Sequence, residues 1–120
     1  MKNTITTEIQ LTETKITFCY GAKSYKKYMK KEHMLKDRLI NAGVTNILTK
    51  SNGEYCIVLA VKKIEDIYAL KGISVHEISH AVSDWMEHFG FDCDEVRSYT
   101  LQMLYLEFMI FLDNQLNENK

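Results

Sequence analysis

The pattern of hydrophobic and polar positions near the N-terminus changes from a period of two to a helical period. Residues 4–11 and 15–20 are rich in threonine, isoleucine and aromatic residues that roughly alternate with polar ones, and the short connection between them suits a β-hairpin. Over residues 23–42 the apolar positions recur at helical spacing, and Gly43 stands where a C-terminal cap belongs. We therefore predict two strands followed by a helix.

A second hairpin is predicted from the tight-turn signal Ser51-Asn52-Gly53. Residues 45–50 precede this turn, and residues 54–61 follow it. The segment 55–60 is apolar without alternation, so we expect this strand to lie inside the sheet. Residues 64–70 fit either a loop or a helical turn.

Two adjacent helices are predicted for the C-terminal part of the chain, over residues 73–89 and 94–116. Gly90 is placed to end the first helix, and Asp92 or Asp94 can cap the second. The resulting order is β-β-α-β-β-α-α. It predicts an α+β fold with a sheet of about four strands, formed by two hairpins, and three main helices.

Composition is ordinary for a soluble globular protein. Apolar residues make up 46% and charged residues 26% of the 120 residues, which fit a single domain over residues 1–120. The formal net charge is -1, so no overall field indicates a nucleic-acid binder. The N-terminus lacks the apolar core of a signal peptide, and the apolar runs are far shorter than the roughly 20 residues that span a bilayer. We expect a cytoplasmic protein that has no membrane partner.

Cysteine and lysine usage adds two expectations. Cys19, Cys56 and Cys93 are far apart, odd in number and without CxxC spacing, which favours reduced and mostly buried thiols over a zinc knuckle or a disulfide framework. Lysines cluster in residues 23–31, but no aromatic stacking platform or recognition motif accompanies them. A solvated helix face is therefore favoured there over a nucleic-acid interface.

Residues 76–80 read H-E-I-S-H within the predicted helix over residues 73–89. Side chains four apart lie on the same face of a helix, so His76 and His80 can direct their imidazoles at one cation while Glu77 lies beside them. A catalytic zinc ion has three protein ligands and an open position for a water molecule, whose pKa it lowers to about 7. We therefore predict that Zn²⁺ binds His76 and His80 and that Glu77 is the general base.

A third metal ligand must come from outside this motif. Asp84 lies one turn beyond His80, where it is better placed to orient an imidazole, and His88 is further still. Glu95 lies in the first turn of the next helix and has the reach to complete a His-His-Glu set, with Asp94 as the neighbouring alternative. Glu95 also ends the segment Asp92-x-x-Glu95, a form of capping box in which it would only bind backbone N–H groups.

The motif and the residues after it resemble a known family. The segment H-E-x-x-H-A at residues 76–81, a helix-ending glycine and D-E-V-R-S-Y at residues 94–99 resemble the small zincin-like metallopeptidases of the gluzincin type found in phages and other mobile elements. The resemblance covers about residues 55–112. It implies a minimal zincin-like domain in which His76, His80 and Glu95 bind zinc. The chain lacks the substrate domains of the large gluzincins, and its motif-to-glutamate spacing is short.

The same resemblance implies roles for two further residues and a function for the chain. Glu77 would be the base, and Tyr99 lies one turn after the glutamate, where its phenol can donate to an oxyanion or simply belong to the core. The predicted function is a zinc metallopeptidase that acts on an exposed protein or peptide segment, in the host cytoplasm if a phage encodes it. The alternative is a catalytically inactive zincin-fold binding or structural protein of a phage or mobile element.

The segment 101–112 is apolar on nearly every side of its predicted helix. Burial against the sheet and the helix of the motif accounts for part of this surface. A homodimer contact through this C-terminal helix is the open alternative for the remainder, because large exposed apolar patches usually mark contacts.

Overall fold

The predicted strands form one mixed sheet. The computed structural model describes residues 3–118. The strands are β1 (Thr4–Ile9), β2 (Thr14–Tyr20), β3 (Gly43–Thr49) and β4 (Tyr55–Val61), and the helices are α1 (Ala22–His33), α2 (Ile67–Phe89) and α3 (Asp94–Glu118). The α+β fold class with two hairpins and three helices is therefore confirmed.

The strands lie in the order β1-β2-β4-β3. The two hairpins, β1 with β2 and β3 with β4, are antiparallel, whereas β2 and β4 pair in parallel at the centre of the sheet. All seven residues of β4 are buried, which confirms the predicted interior strand. The strand β3 lies at one edge, and its outer backbone groups have no strand partner in the described chain.

The two faces of the sheet are covered by different helices. Successive side chains of a strand point to opposite faces, so Phe18 joins the core under α2 and α3 while Cys19 joins the smaller core under α1. The ring of Phe18 stacks on Phe108 of α3, with 4.6 Å between the centroids. Burial of each such large apolar side chain contributes roughly 1.5–3 kcal/mol to folding. The larger core fixes α2 and α3 against the sheet.

The helix α1 ends at His33, well before its predicted end. Met34 follows in the left-handed conformation with a φ of 55°, and its N–H donates to the carbonyl of Lys30. Gly43 begins β3 instead of capping a helix. The apolar positions beyond Met34 are placed by an irregular segment, which buries Leu39 in the smaller core without helical backbone. Their helical spacing was therefore a misleading signal.

The three cysteines are free, as expected for reduced thiols. Cys19 and Cys56 are buried, and Cys93 is exposed. Burial raises the pKa of Cys19 to about 12, so this thiol stays protonated at neutral pH.

The helix α3 is apolar on two sides. One side, which includes Leu104 and Leu112, packs into the larger core, while Leu106 and Ile110 are 51% and 61% exposed on another. Within residues 3–118, neither α3 nor another helix is long and apolar enough to cross a membrane. The homodimer contact through α3 stays a prediction.

Candidate metal centre

The helix α2 carries the H-E-x-x-H motif and begins earlier than predicted. The side chain of Asp66 caps it by accepting hydrogen bonds from the N–H groups of Tyr68 (2.9 Å) and Ala69 (3.2 Å). Segment 64–70, which fitted either a loop or a helical turn, therefore contains the first turn of α2. Gly90 ends the helix as predicted, with a φ of 73° that glycine adopts without strain.

His76 and His80 turn their imidazole rings toward each other on the exposed side of α2. Their Nε2 atoms are 3.0 Å apart, and the ring planes are perpendicular at 90°. Two nitrogen ligands of one tetrahedral zinc ion, each about 2.0–2.1 Å from the metal, are roughly 3.3–3.4 Å apart. The two nitrogen atoms need to separate by only about 0.3–0.4 Å to share such an ion. The pair therefore fits zinc as two of its ligands.

Glu77 is buried between α2 and the edge strand β3, although both histidines beside it are exposed. The Thr45 hydroxyl lies 2.8 Å from Glu77 Oε1 and 3.1 Å from the Glu77 backbone carbonyl oxygen, and it donates toward both. Hydrogen bonds to a charged acceptor contribute roughly 1.5–3 kcal/mol. Thr45 thus fixes the direction of the carboxylate and ties α2 to β3.

Gly43 provides the space that the Glu77 side chain occupies. A Cβ added at Gly43 would lie 2.9 Å from Glu77 Cγ, 2.9 Å from Glu77 Oε2 and 2.9 Å from Ile73 Cγ2. Contacts this short do not occur between unstrained atoms, so a side chain at position 43 must displace its neighbours. Glycine is therefore required at position 43 because of the space that its neighbours occupy. Its backbone conformation does not require glycine, since its φ is not in the left-handed region.

Glu95 and Tyr99 lie on the side of α3 that faces away from α2. Arg97 donates to the Ser83 hydroxyl of α2 at 3.0 Å, and residues two apart in a helix point to roughly opposite sides. Glu95 and Tyr99 instead border a cavity of about 470 Å³ beside the β1–β2 connection. Tyr99 is 73% exposed, so it does not belong to the core, which was the alternative to a catalytic role.

The structure therefore does not assemble the predicted set of three metal ligands. His76 and His80 are together, but Glu95 is not brought to them, and no group of three His, Cys, Asp or Glu side chains within residues 3–118 is arranged to hold a metal ion. The physical reason is the rotation of α3 about its own axis. Its larger apolar side packs on the sheet and α2, and this directs the first-turn glutamate elsewhere.

The capping box predicted as the rival role of Glu95 is not formed. The Arg97 N–H donates to the carbonyl of Cys93 at 3.1 Å, so the first helical bond of α3 starts from Cys93. Among the described residues, the side chains of Asp92, Asp94 and Glu95 accept no hydrogen bond from a backbone N–H group. Asp94 and Glu95 do lie in the first turn of α3, where negative charge is favourable near the positive end of the helix dipole.

Asp84 and His88 of α2, which follow the motif on the same helix, interact with Tyr55 and not with the histidine pair. The ring of His88 stacks on Tyr55, with 3.8 Å between the centroids. Burial and, second, the charge of Asp84 raise the pKa of Tyr55 to about 12. Within the described chain neither Asp84 nor His88 hydrogen-bonds to His76 or His80, so the proposed orienting role of Asp84 has no contact here.

Thr45 is the site residue that the sequence did not indicate. It lies in β3, more than 30 residues before the motif, and only the packing of α2 on this strand brings it to Glu77. Nothing in its local sequence distinguishes it from the other threonines of the strands.

Comparison with known proteins identifies no relative. No protein-family model, no curated protein and no solved structure matches the chain. The chemistry of the site must therefore be inferred from its own residues and their geometry.

Proposed function

We propose that the chain is a zinc-dependent metallohydrolase, and specifically a peptidase, in which His76 and His80 bind zinc and Glu77 is the general base. One observation carries the proposal: the two Nε2 atoms converge to 3.0 Å on adjacent turns of a helix. Exposed side chains of a helix have several rotamers available, and most combinations would separate these rings. The two rings instead hydrogen-bond to each other through these nitrogen atoms, which keeps both donors within reach of one cation on the exposed side of α2.

The roles of the residues follow from this arrangement. A bound zinc ion would polarise a substrate carbonyl and lower the pKa of a water molecule to about 7. Glu77 accepts a proton from the attacking water and transfers it to the leaving amine. Thr45 holds Oε1 of Glu77, which leaves Oε2 without a hydrogen-bond partner in the described residues and available for the proton.

The ligand set of this proposal has two protein members. Glu95 stays a prediction of the sequence for the third position, and the geometry of α3 gives it no support. A catalytic zinc ion has three protein ligands, so the two histidines would supply two of them, and within residues 3–118 no third donor is grouped with the pair. Tyr99, exposed on the far side of α3, has no role in the proposed step.

The position of β3 at the edge of the sheet favours a polypeptide as the substrate. Its outer backbone groups are unpaired in the described chain, and an extended peptide can pair with such an edge as an additional strand. Thr45 belongs to this strand and touches Glu77, so a peptide along β3 would pass beside the general base. The substrate class is therefore an exposed, extended segment of a protein.

The proposal is tested by proteolysis of a peptide library with zinc-loaded protein. We expect Glu77→Gln to reduce cleavage by at least 100-fold with zinc binding retained, because a general base contributes about 10²–10⁴-fold. Glu87→Gln is the matched control, since Glu87 lies on the same helix but is exposed. Cleavage that survives Glu77→Gln, or that falls equally in Glu87→Gln, would contradict the role of Glu77.

A second candidate function is supported by the burial of Glu77. Its carboxylate already has a hydrogen bond to Thr45 and is only 8% exposed, which also suits a structural link between α2 and β3. In this alternative the chain is an inactive binding or structural protein that uses zinc for stability. It predicts zinc binding without cleavage of any library peptide, by the unmodified chain as well as by Glu77→Gln.

A further inference from the structure

Tyr99, which does not reach the histidine pair, belongs to an apolar stripe on the outer side of α3. The members of the stripe recur at alternating intervals of three and four residues, and they are Val96, Tyr99, Met103, Leu106 and Ile110. This is the spacing by which one helix packs along another. Val96 and Met103 are half-buried, whereas the other three are exposed. We call these five residues the α3 seam.

The first half of the α3 seam borders a groove. A cavity of about 470 Å³ lies between this part of α3 and the β1–β2 connection, which lines it with Gln10 and Leu11. Leu11 and Tyr99 are both exposed at its walls, and exposed apolar patches of this kind usually mark a contact surface. An amphipathic helix can lay its apolar side into such a groove. Because the seam continues beyond the cavity through Leu106 and Ile110, a straight helix is the shape that covers all of it.

Acidic side chains border the α3 seam. The helix α3 contains five acidic residues and one basic residue, Arg97, whose side chain turns toward α2. Glu95 directly precedes the seam and lines the cavity, and Glu107 directly follows Leu106. Neither glutamate has an ion pair within residues 3–118. A partner with positive charges on both sides of its apolar stripe therefore complements this surface.

Glu107 gives an independent indication of a cationic partner. Its Oε2 atom is buried and has no hydrogen-bond partner among the described residues. A buried polar atom is normally paired, and a carboxylate oxygen is costly to leave unpaired. Glu107 lies one turn after Met103, so it belongs to the side of α3 that borders the groove. An ammonium or guanidinium group beside the seam would supply the partner that the described chain does not.

We propose that the α3 seam binds a basic amphipathic helix of another protein. The apolar residues of that helix would cover the seam, and its lysine or arginine residues would lie opposite Glu95 and Glu107. A second copy of the chain fits less well, because a symmetric pair of α3 helices would bring the same acidic residues from both copies to one interface. The seam includes neither histidine of the candidate metal centre nor Glu77, so the proposal is independent of the proposed peptidase activity.

Fluorescence anisotropy with a labelled synthetic peptide tests the proposal. The probe is a designed helix of about four heptads, with leucine at the two core positions of each heptad and lysine at the flanking positions. We expect the chain to bind it at about 0.15 M ionic strength. Binding should be at least about 10-fold tighter than that of a scrambled peptide of the same composition, and than that of the same helix with glutamate in place of lysine.

The apolar contribution is tested by a pair of double variants. Leu106→Gln/Ile110→Gln should weaken binding of the basic peptide by at least about 10-fold, because the apolar contacts of the seam are lost. Met34→Gln/Ile40→Gln is the matched control, since these two apolar side chains are likewise exposed but lie outside the seam. This control should bind the peptide as the unmodified chain does.

The charge contribution is tested by a pair of single variants. Glu107→Gln should weaken binding of the basic peptide by about 3- to 10-fold, since a charge-assisted contact is lost. Glu87→Gln, which removes the same charge from an exposed position of α2, should leave the affinity unchanged.

Three results would overturn the proposal. One is the absence of binding of the basic peptide by a chain whose circular dichroism shows the native fold. A second is equal binding of the scrambled peptide, or equal weakening in the two double variants, which would indicate attraction without a defined surface. The third is a dimer in sedimentation velocity that Leu106→Gln/Ile110→Gln dissociates and that does not bind the peptide, which would identify a second copy of the chain as the occupant.

Discussion

Replacement of Gly43 by alanine should disturb the candidate metal centre without touching either histidine. The new Cβ would lie 2.9 Å from two atoms of Glu77 and from Cγ2 of Ile73, so the Glu77 side chain must move away from β3. Its movement breaks the 2.8 Å hydrogen bond that Thr45 donates to Oε1. We therefore expect both lower stability and, in the proposed peptidase, lower activity with zinc affinity retained.

The size of the stability change follows from opposing terms. Overpacking of a buried position costs about 1–3 kcal/mol. The change from glycine to alanine in a strand returns roughly 0.5–1 kcal/mol through the lower backbone entropy of the unfolded chain. With a mid-range cost of about 2 kcal/mol, the net expectation for Gly43→Ala is a loss of about 1–1.5 kcal/mol in the free energy of unfolding.

Urea denaturation of a double-mutant cycle measures this coupling. In the Glu77→Ala background, Gly43→Ala should cost at least about 0.5 kcal/mol less, because two of the three close contacts are gone. Gly72→Ala is the matched control: nothing lies within 4 Å of its added Cβ, and it lies inside α2, so it should stabilise by up to about 1 kcal/mol. A neutral Gly43→Ala variant, or strict additivity with Glu77→Ala, would refute the packing of Glu77 against β3.

Two further predictions concern the rest of the fold. The pKa of Asp37 is lowered in the folded chain, mainly by the hydrogen bond that the Tyr25 hydroxyl donates to it. This carboxylate therefore stabilises the fold at pH values above its unfolded-state pKa of about 3.9. The stabilisation is lost as the pH falls through the lower pKa of the folded state. When the free energy of unfolding is measured at decreasing pH, it should fall less steeply for Asp37→Asn than for the unmodified chain. Separately, a thiol reagent should modify Cys93 at once in the folded chain, and Cys19 and Cys56 only after denaturation, as mass spectrometry would show.

Local signals predicted most of the elements. The turn at Ser51-Asn52-Gly53 and the left-handed cap at Gly90 are set by the residues themselves, so the hairpin and the end of α2 were predictable. The pairing of His76 with His80 is also local, because helical spacing alone places both on one face. These features need no knowledge of distant contacts.

The remaining features depend on tertiary packing. The end of α1 at Met34 carries no glycine or proline to mark it, and the apolar spacing continues beyond it through Leu39. The direction of Glu95 depends on how α3 rotates to bury its larger apolar side, which a single helix cannot reveal. Thr45 reaches Glu77 only because α2 crosses β3. Long-range packing therefore decided the parts of the site that the sequence did not predict.

The most direct measurement of the central claim is the zinc content and affinity of purified protein with one histidine removed at a time. We expect one zinc ion per chain, and a loss of affinity greater than about 100-fold in His80→Ala, since removal of a direct ligand exceeds the usual effect of removing its outer partners. His88→Ala, which removes a histidine of the same helix that stacks on Tyr55, should bind zinc like the unmodified chain. Equal losses in the two variants, or no zinc bound to the unmodified chain, would contradict a metal centre at His76 and His80.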